Sequence, residues 1–219
     1  MMLFLLAALV MAQPPVKIVL VGDSTVNGQG GWGPGFRASF GPSVTIVNLA
    51  RNGRSSKSFR DEGRWTPVIA EKPDYVLIQF GHNDQPGKGP ERETDPATTY
   101  RANLLRYVVE VRAAGAVPVL VTSIVRRNFD GEGRIKADGL VPYVEAVRKL
   151  AAEKQIALID LYALTKQQSE MLGPQGAAKL GTTTAEGKPD TTHLGPEGQR
   201  TIGAMAAREF ARLFPLSKQ

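Results

Sequence analysis

Apolar residues fall in short, nearly uninterrupted runs at 16–21, 44–49, 75–80, 117–122 and 156–160, most of them valine, isoleucine or leucine. Runs without strict alternation predict strands buried on both faces, as in a parallel sheet covered by helices. Between and after them, residues 96–114, 140–154 and 196–213 carry a helical spacing of apolar positions. Strands alternating with helices predict an α/β domain: three α/β/α layers around a five-stranded parallel sheet with right-handed crossovers. The pattern fills residues 16–216 as one domain without repeats or a linker. The Gly/Pro-rich stretches at 28–35 and 86–90 are expected to be surface loops.

Ligands of such a sheet sit beyond the carboxyl ends of its strands. Three polar peptides fall there. Asp23-Ser24 follows the first run, Asn52-Gly53 the second, and Gly81-His82-Asn83-Asp84 the third.

A chain of 219 residues, 42% hydrophobic and 22% charged, has the composition of one soluble domain with a sizeable core. Its first sixteen residues carry no charged side chain, and Val10-Met11-Ala12 resembles a cleavage site before Pro14-Pro15. Residues 1–12 therefore read as a secretory signal peptide; an uncleaved anchor and a buried N-terminal segment are the alternatives. The apolar run from Leu3 to Ala12 is short for a bilayer, so no stable membrane insertion is expected. The expected location is secreted or periplasmic. A net charge of +6 favours polyanions or simply solubility. The basic residues are scattered and no nucleic-acid-binding motif is present, so the better candidate partner is an acidic polysaccharide or oligosaccharide.

The absence of cysteine excludes thiol nucleophiles and cysteine-ligated zinc, and only His82 and His193 are available as neutral-pH bases. Ser24 is a candidate nucleophile, or the cap of a helix. Asp190, three residues before His193, can reach the imidazole Nδ1 from a turn and leave Nε2 for a hydroxyl brought from elsewhere. The plainer reading is a polar loop in which Asp190 or Thr192 caps the last helix. Gly53 can offer a backbone N–H and Asn83 a side-chain amide to a tetrahedral oxyanion, although both also suit ordinary turns. His82 is expected to bond to backbone and orient its loop. Trp32 and Trp65 fit the core better than a sugar-stacking platform.

Other chemistries drop out. Gly28 to Gly33 match G-x-G-x-x-G, but no acidic residue lies between Asp23 and Asp61 to hold a ribose. A phosphate loop and a G-x-S-x-G elbow are both absent. No short two-histidine ligand spacing occurs, so neither a metal nor another cofactor is expected.

Taken in order, Gly22-Asp23-Ser24-Thr25, Asn52-Gly53-Arg54-Ser55-Ser56, Gly81-His82-Asn83-Asp84 and Asp190-Thr191-Thr192-His193 resemble the blocks of the SGNH, or GDSL-like, hydrolases. The resemblance covers nearly the whole chain beyond the leader. It implies the flavodoxin-like SGNH fold, with Ser24 as nucleophile, His193 as base and Asp190 as its partner. It implies an oxyanion hole made by the N–H groups of Ser24 and Gly53 and the side chain of Asn83. Asn52 to Phe59, Gly63-Arg64-Trp65 and Thr192-His193-Leu194-Gly195-Pro196-Glu197-Gly198 look like the rhamnogalacturonan acetylesterase group, family twelve of the carbohydrate esterases. That group implies removal of O-acetyl groups from pectin through an acetyl-enzyme. Acetylxylan, a small acetylated sugar or a short lipid ester are alternative substrates for the same machinery, and a catalytically silent carbohydrate-binding protein is the non-enzyme alternative. The disulfides of some members cannot form here.

Overall fold

The computed structural model describes residues 15–216; the leader read at 1–12 lies outside them. Five strands, β1 (Val16–Gly22), β2 (Val44–Asn48), β3 (Tyr75–Gln79), β4 (Val117–Val121) and β5 (Ala157–Ile159), form one all-parallel sheet in the order β2-β1-β3-β4-β5. This is the flavodoxin-like order, whose switch point lies between β1 and β3. Among the described residues seven helices accompany it: α1 (Gly33–Ala38), α2 (Ser58–Asp61), α3 (Thr66–Ala70), α4 (Thr99–Ala113), α5 (Val141–Glu153), α6 (Leu161–Ala178) and α7 (Pro196–Leu213). A two-stranded antiparallel ribbon, β6 (Gly181–Thr183) with β7 (Pro189–Leu194), precedes the last helix.

The doubly apolar strands explain the layers. Val19, Val21, Val76 and Ile78 point to one face and pack on Phe59, Tyr107, Val111, Val147 and Leu150, so α2, α4 and α5 cover that side. Their neighbours Ile18, Leu20, Leu77 and Val119 point to the other face, against Trp32, Phe36, Ile202 and Phe210 of the α1 and α7 side. Each fully buried side chain of this kind stabilises by about 1.5–3 kcal/mol. Alternation across the sheet thus needs two apolar faces, which is why no polar period shows in the strand sequences.

Two segments differ from expectation. Residues 28–35 are not simply a surface loop: Gly31, Trp32, Gly33 and Gly35 are buried, and α1 begins at Gly33 with Pro34 in its first turn. The reason is backbone contact between α1 and α7. A Cβ on Gly35 would collide with the Gln199 carbonyl, and one on Gly203 with the Phe36 backbone nitrogen. Residues 161–178 also form a helix pair, joined across Gly173, whose φ is 65°, and Pro174. Among the described residues no helix is long and apolar enough to cross a membrane.

Candidate active site

Ser24 follows β1 directly. The buried Asp23 bends the chain beneath it: Asp23 Oδ1 accepts the Thr25 N–H at 2.8 Å and the Thr25 hydroxyl at 2.7 Å. This Asx turn presents the serine at the strand end. Gln79 at the end of β3 supports the turn, donating to Thr25 Oγ1 at 2.7 Å and accepting the Trp32 indole N–H at 2.9 Å. Burial raises the Asp23 carboxyl above its ordinary value, against the hydrogen bonds from Thr25.

His193 arrives from the far end of the chain. Its Nε2 lies 2.9 Å from Ser24 Oγ and its Nδ1 lies 2.8 Å from Asp190 Oδ2. Asp190 Oδ1 also accepts the N–H groups of Thr192 and His193, each at 2.8 Å. Burial pushes the Asp190 carboxyl up, but hydrogen bonds from the His193 backbone and ring and from Thr192 outweigh it and hold it below its ordinary value. An ionised Asp190 at Nδ1 favours the proton there, which leaves Nε2 able to accept one from the serine.

The three-residue spacing predicts a turn for Asp190 and His193, whereas both lie on β7. On a regular strand, residues three apart face opposite sides. This strand is irregular: Gly181 pairs with Leu194 and Thr183 with Pro189, so five steps along β7 oppose two along β6. The extra residues bulge, and the two side chains meet within the bulge.

Gly53 and Asn83 stand beyond the carboxyl ends of β2 and β3, on either side of β1 in the sheet. Gly53 has φ 74° and nothing within 4 Å of where a Cβ would lie, so its conformation rather than packing calls for glycine. Asn83 Nδ2 donates one hydrogen to the Arg54 carbonyl at 3.2 Å, which orients the amide and leaves its second N–H without a partner among the described residues. The structure therefore brings Ser24, His193 and Asp190 into one hydrogen-bonded series and sets Gly53 and Asn83 beyond the ends of the two strands that flank β1.

Several supporting residues carry no motif in the sequence. Arg127 is only 6% exposed, yet its Nη2 donates to the carbonyls of Asp190 at 2.8 Å and His193 at 2.7 Å. Its own N–H donates to Thr191 O at 2.8 Å. Burial lowers its pKa to about 10, with Asp190 opposing the shift. The signal available was position: Arg127 lies beyond the carboxyl end of β4. Asp84 accepts the Ser56 N–H at 3.1 Å, the Ser56 hydroxyl at 2.5 Å and the Thr94 hydroxyl at 2.9 Å, tying the Gly53 segment to the Asn83 segment. Burial pushes its carboxyl up to about 7 despite these donors.

His82 is buried, neither ring nitrogen has a hydrogen-bond partner among the described residues, and burial pushes its pKa down to about 3. The Ile124 backbone opposes that shift but does not overcome the burial, so the ring packs neutral. Trp32 and Trp65 are buried, as expected of core residues. Among the described residues no group of three or more histidine, aspartate or glutamate side chains is placed to hold a metal ion.

The model of the GDSL-like lipase/acylhydrolase family matches residues 20–201. The chain belongs to this family. Within it the chain is a carboxylic ester hydrolase of the SGNH, rhamnogalacturonan acetylesterase-like group: the rhamnogalacturonan acetylesterase RhgT of Bacillus subtilis is 36% identical over 93% of this chain and 93% of that relative. Solved structures show the same fold. The YxiM protein of Bacillus subtilis superposes with a TM-score of 0.77 at 24% identity over 91% of this chain, which spans 57% of the YxiM chain. The acetylxylan esterase Axe2 of Geobacillus stearothermophilus gives a TM-score of 0.64 at 19% identity, covering 93% of this chain and 96% of that one. These likenesses establish the SGNH architecture of the family in this chain.

Proposed function

We propose that this family member removes O-acetyl groups from a plant cell-wall polysaccharide, rhamnogalacturonan in pectin, through an acetyl-enzyme. The observation that carries the reading is the hydrogen-bonded series Ser24–His193–Asp190, with spacings of 2.9 and 2.8 Å, in a chain 36% identical to a named rhamnogalacturonan acetylesterase. His193 Nε2 takes the Ser24 proton as Oγ attacks the acetyl carbonyl carbon. The oxyanion is held by the Ser24 and Gly53 N–H groups and the free N–H of Asn83. Collapse breaks the bond to the sugar oxygen, which leaves with the proton from His193. Water, deprotonated by the same nitrogen, then cleaves acetyl-Ser24 and releases acetate. Asp190 holds the ring orientation and stabilises its cation throughout.

The decisive assay compares acetate release from acetylated rhamnogalacturonan and from acetylxylan, with Ser24→Ala as the control. Faster release from the rhamnogalacturonan, abolished by the substitution, is expected. Faster release from acetylxylan would move the substrate, and activity surviving Ser24→Ala would overturn the mechanism. We also infer action outside the cytoplasm, secreted or periplasmic; recovery of the full-length chain only from the cytoplasmic fraction would overturn that part.

A further inference from the structure

Against the catalytic strand β7 lies a pocket of about 530 Å³, and its lining includes Arg127, Phe129, Lys136, Pro174, Ala178 and Pro189. The ester chemistry does not use it. Asp190 lies on its wall, whereas Ser24, His193, Gly53 and Asn83 do not.

Arg127 brings an uncompensated charge to this pocket. It is 6% exposed, and burial lowers its pKa only to about 10, so it is cationic at neutral pH. A guanidinium carries five N–H donors. Nη2 gives its hydrogens to the Asp190 and His193 carbonyls, while Nε and Nη1 find no acceptor among the described residues. Nor does a carboxylate pair with it among those residues: Asp190 uses its oxygens on the His193 ring and on two backbone N–H groups. Lys136, an exposed residue of the same lining, adds a second positive charge. The acids around it are occupied, Asp138 by Arg126, Asp130 and Glu132 by Arg134, and Glu170 by Lys166. A buried charge without a counter-ion is unfavourable, and an anion entering the pocket offsets it.

The cation is also fixed in place. A Cβ on Gly181 would stand 2.7 Å from Nη2, so β6 packs directly on the guanidinium and holds it before any ligand arrives. Much of the remaining wall is apolar. Phe129 and Pro189 contribute to it, Pro174 follows the break in α6 at Gly173, and Ala178 lies one helical turn further on the same face. Such surface offers little to a ring of hydroxyls and shields an apolar body from water.

We propose that this pocket binds a small carboxylate with an apolar or aromatic body, the carboxylate against Arg127 and Lys136 and the body against Phe129, Pro174 and Pro189. The site lies outside the acetyl-transfer machinery, so the inference goes beyond the esterase reading. Because Nη2 remains on the Asp190 and His193 carbonyls, occupancy neutralises Arg127 without displacing it, and binding stabilises the folded chain by mass action.

Benzoate is the probe, with benzamide as its neutral counterpart and acetate as the charge without the ring. In calorimetric titration of the full-length chain, benzoate should bind about tenfold more tightly than either, through charged hydrogen bonding in the one comparison and burial of a ring in the other. It should also raise the melting temperature. Ala178→Phe, at an exposed position, should fill the pocket and abolish binding, and Lys136→Gln should weaken it about two- to fivefold. The melting temperature of each variant without ligand checks its fold, and the three-probe comparison on the wild type needs neither variant. Equal binding of benzoate and benzamide overturns the carboxylate, and equal binding of benzoate and acetate overturns the apolar body. Benzoate binding undiminished in Ala178→Phe, with competitive inhibition of p-nitrophenyl acetate hydrolysis, would place the probe at the oxyanion donors and overturn the pocket. Galacturonate or inorganic phosphate bound as tightly as benzoate would mark a sugar subsite or an unselective anion patch, and either result overturns the ligand class.

Discussion

Asn83 works through one hydrogen. Its amide is oriented by the Arg54 carbonyl at 3.2 Å and keeps a second N–H for the oxyanion. Losing such a donor removes stabilisation that exists mainly in the transition state, so Asn83→Ala should lower kcat by about a hundred- to a thousandfold with KM little changed. Steady-state kinetics on p-nitrophenyl acetate test this, and a variant as fast as the wild type would remove Asn83 from the site. Its neighbour Asp84 carries a different consequence. Its carboxyl titrates near 7 in the folded protein, against an ordinary 3.8, because burial outweighs the Ser56 and Thr94 donors. A raised pKa means the folded state keeps a proton that the unfolded chain gives up, so this group's contribution to stability is full below about pH 4 and is lost as pH rises to about 7. Asp84→Asn has no such proton. The melting temperature of the wild type relative to that variant should therefore fall across this window, and a rising or flat difference would contradict the assignment.

At the scale of elements, the catalytic strand β7 is held from outside itself. Among the described residues its strand partner is the three-residue β6; beyond that, the Arg127 guanidinium donates to the Asp190 and His193 carbonyls, the Arg127 N–H to the Thr191 carbonyl, and the Leu194 N–H to the Gly30 carbonyl. Arg127→Gln should cost about 1–3 kcal/mol of stability, since two part-buried carbonyls lose a charged donor. It should also lower kcat more than it raises KM, because His193 drifts from Ser24; Arg127→Lys should restore part of both. Denaturation midpoints alongside kinetics distinguish this from simple destabilisation, which would leave kcat of the folded fraction intact. The five strands and three of the helices were legible because a buried run or a helical period is a local property. Helix α1 was not, since Gly33-Pro34-Gly35 looks like a loop until α7 packs on it. Nor was β7: its strand character comes from pairing with β6, and its useful shape from a bulge that no periodicity encodes.

The whole molecule carries a charge of +6, and Arg51, Arg54 and Arg64 line a groove beside the Gly53 segment. Electrostatic attraction of a polyanion is screened over about 8–10 Å at ordinary ionic strength. Added salt should therefore lower kcat/KM on acetylated rhamnogalacturonan several-fold, as increased KM, and leave p-nitrophenyl acetate nearly unaffected; equal sensitivity of both substrates would argue against charge-guided binding. The amino-acid sequence by itself determined the buried strands, the parallel architecture and the chemical groups available, since burial patterns and residue types are written locally. It also placed Ser24, Gly53 and Asn83 at strand ends, because the sheet rule assigns that address to each. Only the tertiary structure decided that His193 reaches Ser24 across 169 residues, that Arg127 braces the strand behind it, and that three scattered arginines share a groove. Such juxtapositions depend on strand order, a bulge and helix-on-helix contact, which arise from the packing of the complete chain and from no single segment of it.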